Sequence, residues 1–347
     1  MKKIPFLGLL GDSRNRWTAA AFIALFTVVG CEINATECDR ECQDGFWMDS
    51  GLREDPCGDT ANTTCLVSRR FPAPTDSDKA NKHVIIAVHG FTASTYEWQE
   101  FKTFAEGDTA NGHGRMLISL VLLGGHGVNL DAFQGSDWGD WGAPIMAEFD
   151  SLKSRGYKNI SFACASTGCA LLMQYIQQGL LDTGLAPKGI YMIDPIVTPS
   201  SKLLSLVNLV GPILGNSPNP GTDTENVHWY VNRPHEDLQQ LYELTNRIKN
   251  ELETGFDLPK KTECKVYKSK HDNSSDPIGA LLIYKGMRMW DGSHIEAELY
   301  DSRLHVMTRL AGRDTASVSR ADTTLQLAIF SEILKKEDQK APKATAP

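Results

Sequence analysis

Short apolar runs alternate with helical segments through most of the chain, and this alternation constrains the fold more than any other feature. The runs predict strands over 83–88, 116–123, 159–163, 189–193, 264–268 and 295–300. Helices are predicted over 142–154, 168–179, 236–252 and 323–335. The first runs are continuously apolar, as strands covered on both faces should be. The pattern therefore predicts an α/β fold with a mostly parallel, doubly wound sheet.

The first 30 residues have the pattern of an export signal. Basic residues precede an uncharged, mostly apolar segment over 17–29, which is too short to cross a bilayer comfortably. The segment ends in Val28-Val29-Gly30-Cys31, which resembles the lipobox of bacterial lipoproteins, where the cysteine becomes the lipidated first residue. A plain signal peptide cleaved nearby is the alternative. We expect an exported protein, attached through Cys31 to a bacterial membrane on its periplasmic or cell-surface side.

The chain is acidic, with a net charge of −8. Residues 1–30 carry four positive charges and one negative charge, so the remaining chain has a net charge of −11. Nucleic-acid binding needs a concentrated basic face, and this composition argues against it. A strongly anionic protein is not held on a membrane by electrostatics, so acyl chains would have to provide the attachment.

Four cysteines lie close together after the signal: Cys38, Cys42, Cys57 and Cys65. They allow three disulfide pairings, among which the sequence does not choose. Disulfides suit an exported protein, and a metal site is disfavoured because the segment has no histidine and no CxxC pair. Residues 31–80 are interpreted as a cysteine-rich leader and linker, and residues 340–347 as a disordered tail. The downstream cysteines are interpreted as small buried apolar residues: Cys164, Cys169 and Cys264.

Ser166 is the candidate nucleophile. It lies between a predicted strand and a predicted helix, where a tight turn can expose a serine hydroxyl if the residues two before and two after it are small. Gly168 meets this condition, whereas Cys164 stands where glycine is usual. The string alone also fits an ordinary buried serine, so the interpretation depends on its partners. The N–H of Thr167, at a helix N-terminus, could be one donor of an oxyanion hole.

An acid and a base follow later strands in the order expected for this architecture. Asp272 comes just after the predicted strand 264–268, and His305 follows the strand 295–300. Asp276 on the same loop and Asp194 after an earlier strand are the alternatives for the acid. His294 is the nearest alternative for the base, but it precedes the last predicted strand. The chain order serine, aspartate, histidine matches that of the Ser-Asp-His hydrolases with a nucleophile on a strand-to-helix turn.

The sequence resembles the monoacylglycerol lipase and bacterial carboxylesterase branch of the α/β-hydrolases. The matching segments cover most of 83–335: 88–95, 122–127, 137–141, 156–176, 230–252, 270–284 and 303–307. The resemblance implies an α/β-hydrolase domain over 81–339, with a helical cap inserted at about 196–261. It implies Ser166 as nucleophile, His305 as base and Asp272 as its orienting acid. It also implies Phe91 and Thr167 as oxyanion donors.

The expected function is a serine hydrolase that cleaves small-molecule or lipid acyl esters through an acyl-enzyme, without a metal or other cofactor. The alternatives are an acyltransferase or thioesterase on the same fold, or a non-catalytic binding lipoprotein. The strongly apolar stretch 201–215 could line an acyl pocket or form a core helix broken at Gly211-Pro212.

Overall fold

Six parallel strands form the central sheet in the part of the chain that the computed structural model describes, which is residues 66–107, 116–127, 130–200, 216–218 and 221–340. They are β1 (His83–Val88), β2 (Met116–Val121), β3 (Asn159–Ala165), β4 (Gly189–Ile193), β8 (Glu263–Ser269) and β10 (Glu296–Tyr300). Short strands lie between them: β5 (Asn216–Pro218), β6 (Asn232–Pro234), β7 (Phe256–Asp257) and β9 (Met287–Arg288). The order across the sheet is β10-β8-β4-β3-β1-β2, and every neighbouring pair is parallel. The predicted parallel sheet is therefore confirmed.

Helices connect the strands and cover both faces of the sheet. They are α1 (Val67–Arg70), α2 (Asp76–Asn81), α3 (Gln99–Gly107), α4 (Leu130–Gln134), α5 (Trp138–Ser154), α6 (Thr167–Gln177), α7 (Asp223–His228), α8 (His235–Thr254), α9 (Ile278–Gly286) and α10 (Arg320–Lys340). Helix α5 begins four residues before its predicted start. There Asp137 and Asp140 each accept a hydrogen bond from the other's backbone N–H, a capping box that satisfies the first turn.

Two hydrophobic cores lie on opposite faces of the sheet because successive strand side chains point in opposite directions. Val84 and Ile86 of β1 pack in the core that includes α5, α6 and α8. Ile85 and Ala87 pack in the other core, with α3 and α10. All six residues of β1 are buried, which explains why this strand reads as a continuous apolar run.

The folded unit begins before the predicted domain start at residue 81. Val67 is fully buried, and its N–H donates to Ser119 Oγ at 2.9 Å. Ser119 Oγ in turn donates to Glu148 Oε1 at 2.6 Å, which joins α1, β2 and α5. Residues 66–80, predicted as linker, are therefore part of the packed structure. The four-residue helix α1 buries only Val67 and Ser68, so it gives little periodic signal and sequence patterning missed this segment.

The chain between β4 and β8 contains the predicted cap. It forms the antiparallel strand pair β5 and β6, the helix α7 between them, and α8. Helix α8 packs against α6 and α9, and Leu241, Leu244 and Ile248 are buried in the core on that face. Helix α8, in the second half of the insert, therefore belongs to the main body of the fold.

Several predictions concern residues outside the described ranges. They are the export signal over 1–30, lipidation at Cys31, the four leader cysteines, the apolar stretch 201–215 and most of the tail, 341–347. Export and membrane attachment stay predictions from sequence. None of the helices within the described ranges has the length and apolar character needed to span a bilayer.

A buried carboxylate on α10 ties the last helix to the sheet. Glu337 accepts hydrogen bonds from Ser161 Oγ at 2.7 Å, Tyr191 Oη at 2.6 Å and Lys340 Nζ at 2.9 Å. The His83 ring lies 3.7 Å from the same carboxylate. Burial opposes ionisation, but His83, Lys340 and Tyr191 outweigh it and hold the pKa of Glu337 at about 2.

This carboxylate should make the stability of the fold depend on pH. Its pKa is lower in the folded than in the unfolded chain, so its contribution is present above the unfolded pKa and is lost as the pH falls through the folded pKa. Between about pH 6 and about pH 3, the difference in unfolding free energy between the natural protein and Glu337→Gln should shrink by about 2 kcal/mol. Urea unfolding at a series of pH values measures this, and a difference independent of pH would contradict it.

Candidate active site

Ser166 lies on a sharp turn between β3 and α6. Its backbone has φ 46° and ψ −113°, a conformation that non-glycine residues rarely adopt. The Ser166 N–H donates to the Ile193 carbonyl at 3.1 Å, which fixes the turn to the end of β4. Strained residues of this kind are concentrated at functional sites, where the surrounding structure holds them in place.

Close packing around the turn explains the small residues beside Ser166. A Cβ atom at Gly168 would lie 2.6 Å from the His89 carbonyl oxygen and 2.8 Å from Val88 Cγ1, so only glycine fits there. Cys164, where glycine is usual, is fully buried and packs in the core that includes α5, α6 and α8. The substitution is therefore compatible with the geometry.

The structure brings Ser166, His305 and Asp272 together in one hydrogen-bonded chain. His305 Nε2 lies 2.8 Å from Ser166 Oγ, and His305 Nδ1 lies 2.8 Å from Asp272 Oδ2. With a neutral ring, Nδ1–H donates to the carboxylate and Nε2 accepts from the serine hydroxyl. Asp272 follows β8 and His305 follows β10, so parallel neighbouring strands bring both residues to the same sheet edge.

Asp272 is held as a carboxylate by its surroundings. Its Oδ1 accepts hydrogen bonds from the N–H groups of Ser274 and Ser275, at 2.8 and 3.2 Å. Its Oδ2 accepts from Lys268 Nζ as well as from the His305 ring. Burial opposes ionisation, but His305 and Lys268 outweigh it and lower the pKa of Asp272 well below its usual range.

Lys268 lies wholly buried between two carboxylates, and sequence reasoning missed it. Its Nζ donates a hydrogen bond to Asp272 Oδ2 and lies 3.4 Å from Asp194 Oδ1. Asp194 accepts from the N–H groups of Ser269 at 2.7 Å and Met307 at 2.9 Å. Asp194, an alternative acid in the sequence, therefore ties β8 to the loop that carries His305.

Replacing Lys268 with methionine should destabilise the protein by about 3–5 kcal/mol, because it removes the cation that compensates two buried carboxylates. Lys270→Met is the matched control, since Lys270 is exposed two residues further along. We expect the control to change the unfolding free energy by less than about 0.5 kcal/mol. Chemical denaturation of both variants measures the difference, and equal stabilities would show that the buried ion cluster is not needed by the fold.

The other candidate residues lie in different environments. Asp276 is exposed, and its Oδ1 accepts from the Ile278 N–H at 2.9 Å at the start of α9. His294 is exposed and stacks on Tyr284, with ring centroids 4.4 Å apart. Neither is bonded to Ser166, His305 or Asp272 in the described structure.

The loop after β1 is fixed beside Ser166 by buried polar groups. His89 Nε2 accepts from the Leu123 N–H at 3.0 Å, so its Nδ1 carries the proton and donates to the Gly90 carbonyl at 2.9 Å. Burial lowers the pKa of His89 to about 4, which keeps the ring neutral. The Gly90 N–H donates to buried Glu97 at 2.9 Å, and burial raises the pKa of Glu97.

The predicted oxyanion donors lie on this loop and on α6. A Cβ atom at Gly90 would be 3.1 Å from Ser166 Cβ, which places the loop against the nucleophile. The Phe91 ring packs on Phe133 and Trp141, with centroids 5.5 and 5.6 Å apart. Among the described residues, neither the Phe91 N–H nor the Thr167 N–H has a backbone acceptor. Neither N–H is therefore committed to a backbone carbonyl.

A cavity of about 280 Å³ opens beside Ser166 and His305. Polar atoms make up the greater part of its lining, which includes five charged side chains: Glu97, Glu225, Arg233, Arg309 and Arg313. An acyl pocket lined by the apolar stretch 201–215 was one interpretation of the sequence, and that stretch lies outside the described residues. The described walls are thus more polar than a hydrocarbon-binding cleft.

The described cysteines and histidines form no metal centre. Cys164, Cys169 and Cys264 are free and fully or almost fully buried, and burial raises the pKa of each thiol. They are buried residues, as predicted. No group of three or more His, Cys, Asp or Glu side chains within the described ranges could hold a metal ion.

The chain is similar to solved structures of lipolytic enzymes. A solved structure from the description of LipS and LipT, two metagenome-derived lipolytic enzymes, matches with a TM-score of 0.54 and 22% identity, over 74% of this chain and 96% of its own. A monoglyceride lipase from Saccharomyces cerevisiae matches with a TM-score of 0.55 and 13% identity, over 78% and 90%. The Paleococcus ferrophilus monoacylglycerol lipase matches with a TM-score of 0.52 and 12% identity, over 74% of this chain and 96% of its own.

No family model matches the sequence, and no curated protein matches it. The similarity to these solved structures concerns the fold of the chain. They share with this chain a mostly parallel sheet flanked by helices over most of their length. The chain therefore has the α/β-hydrolase fold.

Proposed function

We propose that the protein is a serine hydrolase that cleaves carboxylic esters through a covalent acyl-enzyme. The observation that carries the proposal is the hydrogen-bonded chain from Ser166 Oγ through the His305 ring to Asp272, with 2.8 Å at each link. A serine hydroxyl is a weak nucleophile until an adjacent base takes its proton, and this arrangement supplies the base and its orienting acid. The lipolytic enzymes of similar fold agree with this reaction class.

Acylation transfers one proton and exchanges one bond. Ser166 Oγ bonds to the ester carbonyl carbon while its proton moves to His305 Nε2. The carbonyl oxygen becomes an oxyanion, which accepts hydrogen bonds from the N–H groups of Phe91 and Thr167. The carbon–oxygen bond to the alcohol then breaks, and the imidazolium gives its proton to the departing alkoxide.

Deacylation repeats these steps with water. The neutral His305 ring takes a proton from water as the water oxygen bonds to the acyl carbon. The bond to Ser166 Oγ breaks, and His305 returns a proton to the serine. The products are a carboxylic acid and the regenerated enzyme. Asp272 keeps its charge throughout and stabilises the imidazolium.

The test of the reaction class is product analysis on the full chain. We expect p-nitrophenyl esters of graded acyl length to release nitrophenolate and the free acid catalytically. Adding an alcohol or thiol acceptor distinguishes the alternatives, because an acyltransferase would divert most of the acyl group to the acceptor. Folded protein that turns over no ester in the series would contradict the proposal and would favour a binding role.

A further inference from the structure

Positively charged side chains outnumber negatively charged ones around the cavity beside Ser166. Three arginines line it, against two glutamates. Burial raises the pKa of Glu97. A cavity built for a hydrocarbon chain would be lined mainly by apolar groups with few polar ones. This cavity therefore has an excess of positive charge beside the reacting serine.

Two of the arginines have partners within the protein. Arg309 Nη1 donates to Glu225 Oε1 at 2.6 Å, and its guanidinium lies 4.5 Å from the Trp229 ring centroid. Arg313 Nε donates to the Arg309 carbonyl at 2.7 Å, and its Nη2 donates to the His305 carbonyl. Arg313 therefore positions the His305 loop, and the charge of Arg309 is offset by Glu225.

Among the residues that the structure describes, Arg233 has no such partner. It lies on β6, lines the cavity and has a buried Nε without a hydrogen-bond acceptor. None of the described acidic side chains pairs with it, and residues 201–220, which precede β6, include no Asp or Glu. Burial lowers the pKa of Arg233 to about 10, so it stays charged at neutral pH. A half-buried cation without a carboxylate partner among the described residues is costly, and a bound anion lowers that cost.

We propose that Arg233 binds an anionic group of the substrate, so that the preferred substrates are esters carrying a carboxylate or a phosphate close to the scissile bond. This proposal rests on the serine hydrolase function and specifies its substrate class. A guanidinium fork matches the paired oxygens of either anion. A cavity of about 280 Å³ fits a compact ester of this kind better than a long acyl chain.

The experiment compares matched neutral and anionic esters. The first pair is p-nitrophenyl pentanoate and mono-p-nitrophenyl glutarate, which differ by a terminal carboxylate on the acyl side. The second pair is acetylglycerol and acetylglycerol phosphate, which differ by a phosphate on the alcohol side. We expect at least one anionic ester to exceed its neutral partner in kcat/KM by about tenfold or more, because charged hydrogen bonds contribute this much.

Substitutions then assign the preference to one side chain. Arg233→Gln should lower the anionic-to-neutral ratio of kcat/KM by about tenfold to a hundredfold, and Arg233→Lys should retain part of it because it keeps the charge without the fork. Arg320→Gln is the control, since Arg320 is exposed at the start of α10 and carries the same charge. If Arg233→Gln does not fold, inhibition of the natural protein by sodium glutarate replaces it. Competitive inhibition that weakens in Arg233→Lys is then expected.

The outcomes separate this inference from the proposed function. Neutral esters hydrolysed without any anionic preference, or a preference unchanged in the Arg233 variants, would overturn the anion site and leave the serine hydrolase intact. If the natural protein hydrolysed neither the neutral nor the anionic esters, the proposed serine hydrolase function would be overturned instead. Glutarate that does not compete with the neutral ester would also count against the anion site.

Discussion

Replacing Ser166 with alanine is expected to lower kcat for ester hydrolysis by at least about 10⁴-fold. The substitution removes the only atom that can form the acyl-enzyme in the proposed mechanism. The oxyanion donors and the cavity remain, so weak residual hydrolysis by bound water is expected rather than complete loss. Initial rates with the best p-nitrophenyl ester measure the effect at saturating substrate.

The control for this variant is Ser154→Ala. Ser154 is exposed at the end of α5, and its hydroxyl donates only to the carbonyl of Ser151. Its replacement should leave kcat within about twofold, since surface substitutions away from special features have small effects. A Ser166→Ala protein that folds and keeps a tenth or more of the natural rate would show that another group is the nucleophile.

Replacing Asp272 with asparagine is expected to lower kcat by about 10³-fold to 10⁴-fold. An amide in place of the carboxylate no longer stabilises the imidazolium, and it can hold the His305 ring in the wrong tautomer. Lys268 also loses a charged partner, so the unfolding free energy should fall as well. Steady-state kinetics and denaturation on one preparation separate the chemical effect from the structural one.

Asp276→Asn is the matched control, four residues away on the same loop. The asparagine side-chain oxygen can still accept the hydrogen bond from the Ile278 N–H that caps α9. We expect kcat to change by less than about twofold. Equal losses in the two variants would mean that the loop conformation, and not the carboxylate at 272, controls the rate.

The features that sequence reasoning placed correctly share a local origin. Four of the six strands, β1 to β4, are short apolar runs, and the positions of Ser166, Asp272 and His305 follow from which strand each residue succeeds. Parallel strands all end at one edge, so residues after different strands meet there without any local signal of contact. Strand order and the turn after β3 were therefore enough to bring the three side chains into one region.

The features that sequence reasoning missed depend on contacts between distant segments. Lys268 reads as one more surface lysine until the fold places Asp194, 74 residues away, beside it. Arg233 and Arg313 belong to no motif, and only their common cavity gives them a shared environment. The early start of the folded unit has the same cause, since Val67 is buried by β2 and α5. Pairings of this kind leave no periodic pattern in the chain.

The most direct measurement is peptide mapping of the full chain after reaction with a fluorophosphonate, which phosphonylates an activated serine. The hydrogen-bonded chain from Ser166 through His305 to Asp272 predicts one adduct per polypeptide, located at Ser166. The adduct should be absent from the Ser166→Ala variant and from protein unfolded before the reaction. Folded protein that acquires no adduct, or one carried by a different serine, would contradict the assignment of this turn as the reacting centre.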